Sequence, residues 1–379
     1  MRLLKFDTIN PESYLIKKYK ENYASVSGMN RRELLDWIIS LRSNFSDFYT
    51  FNLRQNGWEA EEFILSQLYI EMAAEDLFGS NRLIKKTIES FKDKVRPLKL
   101  RWNKRIIVDY IKQYKPDVIF VREVSGIPSE FWKFFVDRSL LVCRLAASLP
   151  KNWSPLDWDF ILTSTDTFKD FFKLNKIDSV INQNGFDERI LTEINSTGKK
   201  HNVTFIGGLG NRFWKQRTRL AEYISENTDF KWWGVKGSDI PDDSALSKSY
   251  NGIMSGIEML QIYKDSKIVF NDYGEIAEGT GVNQRIFEVM GIGSLLLTRD
   301  ADNIRKNFPK NIMVTYKDEN DCIDKINYFI KNDNEREEIA SAGQKYILEN
   351  FSYKFLMKEF DMLLKKKFNE KFSNNKNRW

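Results

Sequence analysis

A carboxylate stands one turn into an apolar stretch that follows a glycine-rich loop: Glu288, behind Gly279, Thr280, Gly281, Val282 and Asn283. Glycines at 279 and 281 let backbone N–H groups approach an anion without obstruction from a Cβ. The helix that Asn283 opens adds unpaired N–H groups and a positive dipole end at the same place. A glutamate one turn further in can accept hydrogen bonds from a ribose diol. Phosphate at the loop and sugar hydroxyls at the carboxylate together describe a nucleotide site. The plainer reading of Glu288 is a salt bridge with Arg285, three residues earlier on the same helix face.

Such a site needs strands to hold it. Lys267 to Asn271 and Ser294 to Thr298 read as strands on either side of the loop and helix. Upstream, Val203 to Gly207 and Phe230 to Trp233 read as strands flanking a helix at Arg212 to Glu226, and Gly256 to Ser266 as a second helix. Ile312 to Tyr316 follows as a strand, then helices at Glu319 to Lys331, Asn334 to Glu349 and Ser352 to Phe368. The first half shows the same alternation. Strands are expected at Arg2 to Phe6, Trp58 to Ile64, Val118 to Val121, Leu140 to Leu145 and Phe160 to Thr163, with helices at Arg31 to Arg54 and Arg105 to Tyr114. Val118-Ile-Phe-Val121 is the uninterrupted apolar run of a parallel strand covered on both faces. Helix–strand alternation implies doubly wound α/β domains. The polar stretch Glu193 to Asn202 is the candidate linker, giving domains at 1–195 and 202–350 and a C-terminal helix and tail at 351–379.

Bulk properties narrow the chemistry. A chain of 379 residues with 42% hydrophobic and 30% charged residues describes a globular protein with room for two cores. No apolar run approaches the roughly 20 residues of a membrane span. With only two cysteines, Cys143 and Cys322, and no secretory signal at Met1 to Asp7, a reducing cytoplasm is expected. His201 is the only histidine, which argues against Ser-His-Asp or Cys-His catalysis and against His-ligated metals. The net charge of +6 is concentrated at the end, where Lys365 to Trp379 carries six basic residues against Glu370. A second basic excess runs from Lys85 to Arg105. Solvated helix surface explains both; the sharper reading of the 365–379 tail is peripheral contact with an anionic membrane. A near-neutral body makes a nucleic-acid partner unexpected.

From Val203 to Leu364 the chain resembles the "glycosyl transferases group 1" clan of two-Rossmann-domain (GT-B) glycosyltransferases, most closely a CgeB-like branch. The resemblance is carried by Tyr250 to Asn271, Gly281-Val-Asn-Gln-Arg-Ile-Phe-Glu-Val-Met-Gly-Ile-Gly293, Leu295 to Thr298, Phe308, Tyr316 with Asp318, and Glu335 to Gln344. In the first half only Lys115-Pro-Asp117, Trp158-Asp159 and Asn182 to Asp187 resemble the pattern. The resemblance implies two Rossmann-like doubly wound domains facing a cleft, with the last helix crossing back to the first domain. It implies a UDP- or GDP-linked sugar as co-substrate, no metal or other cofactor, and a glycan, lipid-linked, protein or small-molecule acceptor. By it, Glu288 binds ribose, and the loop Gly279 to Asn283, with Arg285 beside it, faces the diphosphate. Arg212, Lys215 and Arg217, after the strand–turn that includes Gly208, offer cations to the departing diphosphate. Many relatives carry a glutamate where Thr280 stands, so the contact to the donor sugar departs from the pattern.

A base for the acceptor hydroxyl is expected at the carboxyl end of a first-domain strand, where open α/β sheets place ligands. Glu123 and Asp7 occupy two such ends, and either could instead pair with Arg122. Three other functions fit parts of the chain: a sugar epimerase or phosphorylase on the same fold, an inactive glycan- or partner-binding protein, and a DNA-modifying sugar transferase.

Overall fold

The computed structural model describes residues 1–66, 102–145, 153–164, 166–195, 198–211, 214–273, 282–373 and 379. Two all-parallel sheets organise them. The first runs β2-β1-β3-β4-β5-β6, from β1 (Arg2–Asp7), β2 (Glu59–Ile64), β3 (Val118–Val121), β4 (Leu140–Arg144), β5 (Phe160–Thr163) and β6 (Ser179–Ile181). The second runs β11-β10-β9-β7-β8, from β7 (His201–Ile206), β8 (Phe230–Trp233), β9 (Ser266–Asn271), β10 (Leu295–Arg299) and β11 (Val314–Tyr316). Every residue of β3 and β4 is buried, as helices or turns on both faces require. Strand order reverses between β1 and β3 in one sheet and between β7 and β9 in the other. In such folds, ligands bind beyond the carboxyl ends of the strands at these two places.

The chain divides into two compact units. One comprises Met1–Ser164, Phe168–Asn182 and Met357–Trp379; the other is essentially Gln183–Leu356. The division falls before the polar linker because residues after Asn182 are tied to the second unit. Phe186 N donates to Phe351 O, Tyr353 N donates to Phe186 O, and the Phe186 ring fills the space where a Cβ on Gly291 would stand. His201 is accordingly part of β7 and not of a linker.

The last helix, Tyr353–Phe372, begins in the second unit and runs back into the first. There Phe360 packs on Tyr49 and Phe120, and Trp58 Nε1 donates to Asp361 Oδ1 at 2.6 Å. Its apolar face is Leu356, Met357, Phe360 and Leu364, and Phe355 is exposed. Tail lysines also lie on this unit: Lys367 pairs with Asp178 at 2.5 Å and Lys371 with Asp159 at 2.6 Å.

The expected helix Arg31 to Arg54 is two helices, Arg31–Ser40 and Phe48–Gln55. Between them Arg42, Asn44 and Ser46 adopt positive φ, and the Ser46 carbonyl turns inward to accept from Lys5 Nζ at 2.8 Å. A buried lysine needing acceptors outweighs helical periodicity here. β6, a half-buried triplet, and the helix Glu12–Glu21 were not among the expected elements. Among the described residues no helix is long and apolar enough to cross a membrane. The basic stretch Lys85 to Arg105 lies outside the described residues up to Arg101.

Candidate active site

In the second unit, the helix Gln284–Gly291 descends behind β9 with Ile286, Phe287, Val289 and Met290 buried. Glu288 is partly shielded on that helix, and its carboxyl is pushed up to about 7, chiefly by burial, against the opposing pull of Arg285 and a hydrogen bond from Gln284. The alternative reading, a salt bridge with Arg285, does not hold. Among the described residues, Glu288 has no cation within ion-pair distance. Arg285 points elsewhere: Nε and Nη2 donate to the Ile206 carbonyl at 3.1 and 2.5 Å, and Nη1 donates to Asn271 Oδ1 at 2.5 Å. Its guanidinium also stacks on Phe205, 4.6 Å from the ring centroid.

Asn283 occupies the N-cap position in extended conformation without capping the helix through its side chain. Its Nδ2 donates instead to Asn271 Oδ1 at 3.0 Å, and its Oδ1 is buried without a partner. The first turn therefore keeps donor capacity that a side-chain cap would have consumed. Val282 is half-buried beside it. Gly279, Thr280 and Gly281 lie outside the described residues, as does Arg212.

The strand–turn after β7 is closed by the molecule itself. A Cβ on Gly208 would lie 2.3 Å from the Trp214 ring, so this glycine serves close packing of an indole. Arg217 is buried, donates from Nη2 to the Gly208 carbonyl at 2.6 Å, and stacks on Trp214 and Phe205. Arg217, expected to offer a cation to the diphosphate, is thus buried and engaged within the turn; Lys215, in the first turn of the helix Lys215–Asn227, is the exposed one of the two. The Asn211 backbone N–H, at positive φ, donates to both oxygens of Asp239 at 2.7 and 2.8 Å. A carboxylate of the chain thus already occupies that donor.

In the first unit, Asp7 ends β1 and is buried, with Arg122 Nε donating to Oδ2 at 2.6 Å, Thr8 N donating to Oδ1 at 2.9 Å, and Lys5 Nζ 3.2 Å away. Burial alone would raise its pKa; Arg122 and Lys5 outweigh it and hold the carboxyl below the usual range. A carboxylate so saturated is a poor proton acceptor, which argues that Asp7 is structural. Lys5 Nζ also contacts both oxygens of Glu62, at 3.1 and 3.0 Å, and Thr50 Oγ1 donates to Glu62 at 2.8 Å. Burial raises Glu62 to about 7 in spite of Lys5. This buried group, invisible in a strand read as Trp58 to Ile64, could have been suspected only from two acids in a strand interior. Glu123 differs from Asp7: Oε1 accepts from the backbone N–H of Ser125 at 2.8 Å and from its hydroxyl, while Oε2 has no partner among the described residues.

Known proteins now give this geometry a context. A family model described as "Glycosyl transferase-like" matches residues 212–361. Among solved structures, the chain is similar to HepE from Anabaena in complex with UDP-glucose, at 14% identity over 97% of this chain and 100% of that one, with a TM-score of 0.54. It is similar to a glycosyltransferase from Rickettsia africae ESF-5, at 14% identity over 99% of each chain, TM-score 0.52. A sucrose-phosphate synthase from Thermosynechococcus elongatus aligns at 7% identity over 98% of this chain and 100% of that one, TM-score 0.52. At such identities these likenesses establish a shared fold, the two doubly wound parallel sheets of the GT-B type. No curated protein sequence matches the chain.

Proposed function

We propose that this chain, a glycosyltransferase by the domain that its residues 212–361 form, transfers a sugar from a UDP-linked donor to an acceptor hydroxyl. The observation that carries the reading is Glu288: a shielded carboxyl inside that domain, near neutral pKa and with no cation of its own among the described residues. Burying a carboxyl without a charge partner is costly, and two ribose hydroxyls donating to it would offset that cost. UDP is preferred to GDP because HepE, which shares the fold, binds UDP-glucose.

In this reading the uncapped first turn of Gln284–Gly291, with Val282 and Asn283 before it, faces the diphosphate. Lys215 is the exposed cation of the β7 turn able to reach toward it. As the glycosidic bond breaks, the leaving diphosphate gains negative charge. Donors and cations held in place stabilise that state more than the ground state. Glu123, with one carboxylate oxygen unengaged, is the candidate to take the acceptor proton if the transfer inverts. The reaction is drawn without metal, the leaving group being met by protein donors alone. The acceptor is a hydroxyl on a glycan or a lipid-linked precursor. Peripheral membrane contact finds less support, since Lys367 and Lys371 are already paired with acids of their own unit.

Calorimetric titration with UDP and GDP, followed by assay of UDP release from UDP-glucose with and without candidate acceptors, tests the reading. Binding of UDP that disappears in Glu288→Ala is expected. An unliganded protein at millimolar UDP and GDP would overturn it. UDP binding without any transfer or hydrolysis would favour an inactive glycan-binding protein.

A further inference from the structure

We propose that Arg285 is the positioning residue of this nucleotide-sugar half: its guanidinium pins the helix carrying Glu288 to the ends of β7 and β9, leaving ligand contact to that helix and its glutamate. The inference rests on the donor reading above and assigns Arg285 a role other than holding the diphosphate.

The geometry is specific. β7 and β9 are neighbours at the place where strand order reverses in the second sheet, and Arg285 bridges their ends. Two of its nitrogens converge on the Ile206 carbonyl at the end of β7, and a third meets Asn271 Oδ1 at the end of β9. Only a planar fork of donors reaches both acceptors at once. Gly207 is part of the fit, since a Cβ there would come within 2.6 Å of Arg285 Nη2. Asn271 passes the constraint onward. It is fully buried, donates from Nδ2 to Thr298 Oγ1 at 2.9 Å on β10, and accepts from Asn283 at 3.0 Å. One guanidinium thus locks two strand ends directly, and through Asn271 it also fixes the N-cap residue and a third strand.

Held by Ile206 and Asn271, Arg285 acts on Glu288 through space, one turn away. Four elements pack closely against the Glu288 helix: the helix Asp333–Asn350, the helix Gly256–Lys264, and strands β9 and β10. From these, Tyr263 is the titratable group that feels both Glu288, which helps burial raise its phenol, and Arg285, which opposes that. On its own helix Arg285 is the charged one. Removing Arg285 therefore leaves the carboxyl facing a buried phenol and no cation.

Site-resolved NMR titration of Glu288 in the unliganded protein, with Glu288→Gln identifying the resonance, decides the matter independently of any ligand. Arg285→Met is expected to raise the Glu288 midpoint by about one unit or more, as loss of a nearby opposite charge does. Arg285→Lys keeps the charge but cannot span both acceptors; its UDP affinity is expected to fall about tenfold, the loss of one or two hydrogen bonds. Gly207→Ala, which crowds Nη2 without touching the charge, is expected to weaken UDP binding in the same direction. An unmoved midpoint in Arg285→Met, or wild-type UDP affinity in Arg285→Lys, overturns the proposal. Should the wild type bind neither UDP nor GDP, the donor reading fails while the unliganded titration still judges Arg285.

Discussion

The two sheets reverse their strand order at places built from similar residues but finished in opposite ways. At β1 and β3, Asp7 lies against Arg122 and Lys5, and Lys5 in turn against Glu62. Each carboxylate there has a cation against it: Asp7 is held below its ordinary pKa, while burial raises Glu62 to about 7 in spite of Lys5. At β7 and β9 the arginine spends its donors on a backbone carbonyl and an asparagine, and Glu288 is left to rise to about 7. A buried charge that is already paired is part of the scaffold. One left unpaired in a shielded place awaits a partner from outside.

That contrast can be broken most directly at Glu288. Glu288→Ala should lower UDP affinity by about 100-fold or more, corresponding to two charge-assisted hydrogen bonds of about 1.5–3 kcal/mol each, with the melting curve little changed. A loss of stability in place of affinity would make Glu288 a scaffold residue like Asp7. The mirror experiment is Asp7→Ala, which strands Arg122 and Lys5 beside each other. It should cost about 3–5 kcal/mol in denaturant unfolding. An Asp7 variant with wild-type stability and no turnover would restore it as the base.

Dependence on pH sharpens the comparison further. A carboxyl whose folded pKa is about 7, above its unfolded value, binds more protons in the folded state between those limits. Its contribution to stability is therefore fully present below the unfolded pKa and lost as pH rises through about 7, by up to about 3 kcal/mol. Glu62 contributes in the same direction. Asp7 has the opposite sign: its stabilisation is present above its unfolded pKa and lost as pH falls through the depressed folded value. Unfolding from pH 5 to 8 should show stability declining with pH, and Glu288→Gln should remove part of the decline. UDP affinity should rise over the same range. A slope unchanged by Glu288→Gln would mean its carboxyl is ionised throughout.

The smallest effect is expected at the crossing helix. Lys371→Ala removes a part-exposed pair with Asp159, together with a bond to the Ser139 carbonyl, and should cost no more than about 1 kcal/mol in chemical denaturation. A larger loss would show the helix to be held by charge more than by Phe360 and Leu364.

Much of the fold was readable from local pattern. Val118–Val121, Phe160–Thr163 and Phe230–Trp233 stood out because a parallel strand covered on both faces is apolar throughout. The Arg31 to Arg54 stretch misled because its periodicity is helical, while its break is imposed by Lys5, more than twenty-five residues away in sequence. Gly208 was legible only as part of the turn after a strand; that it makes room for the Trp214 ring was not. Glu288 stood out as a carboxylate among apolar neighbours. The alternative salt bridge with Arg285 stayed open in the sequence, because helical spacing makes the pair adjacent but says nothing of the acceptors that β7 and β9 offer.

The sequence by itself determined two parallel α/β sheets, a short apolar helix after β9, and a carboxylate one turn into it, since period and residue type are local properties. Only the tertiary structure decided which charges are satisfied. Asp7 meets Arg122 across 115 positions, and Arg285 meets the Ile206 carbonyl across 79. Electrostatic energy depends on distance and burial in the folded chain, and neither is written into the order of the residues.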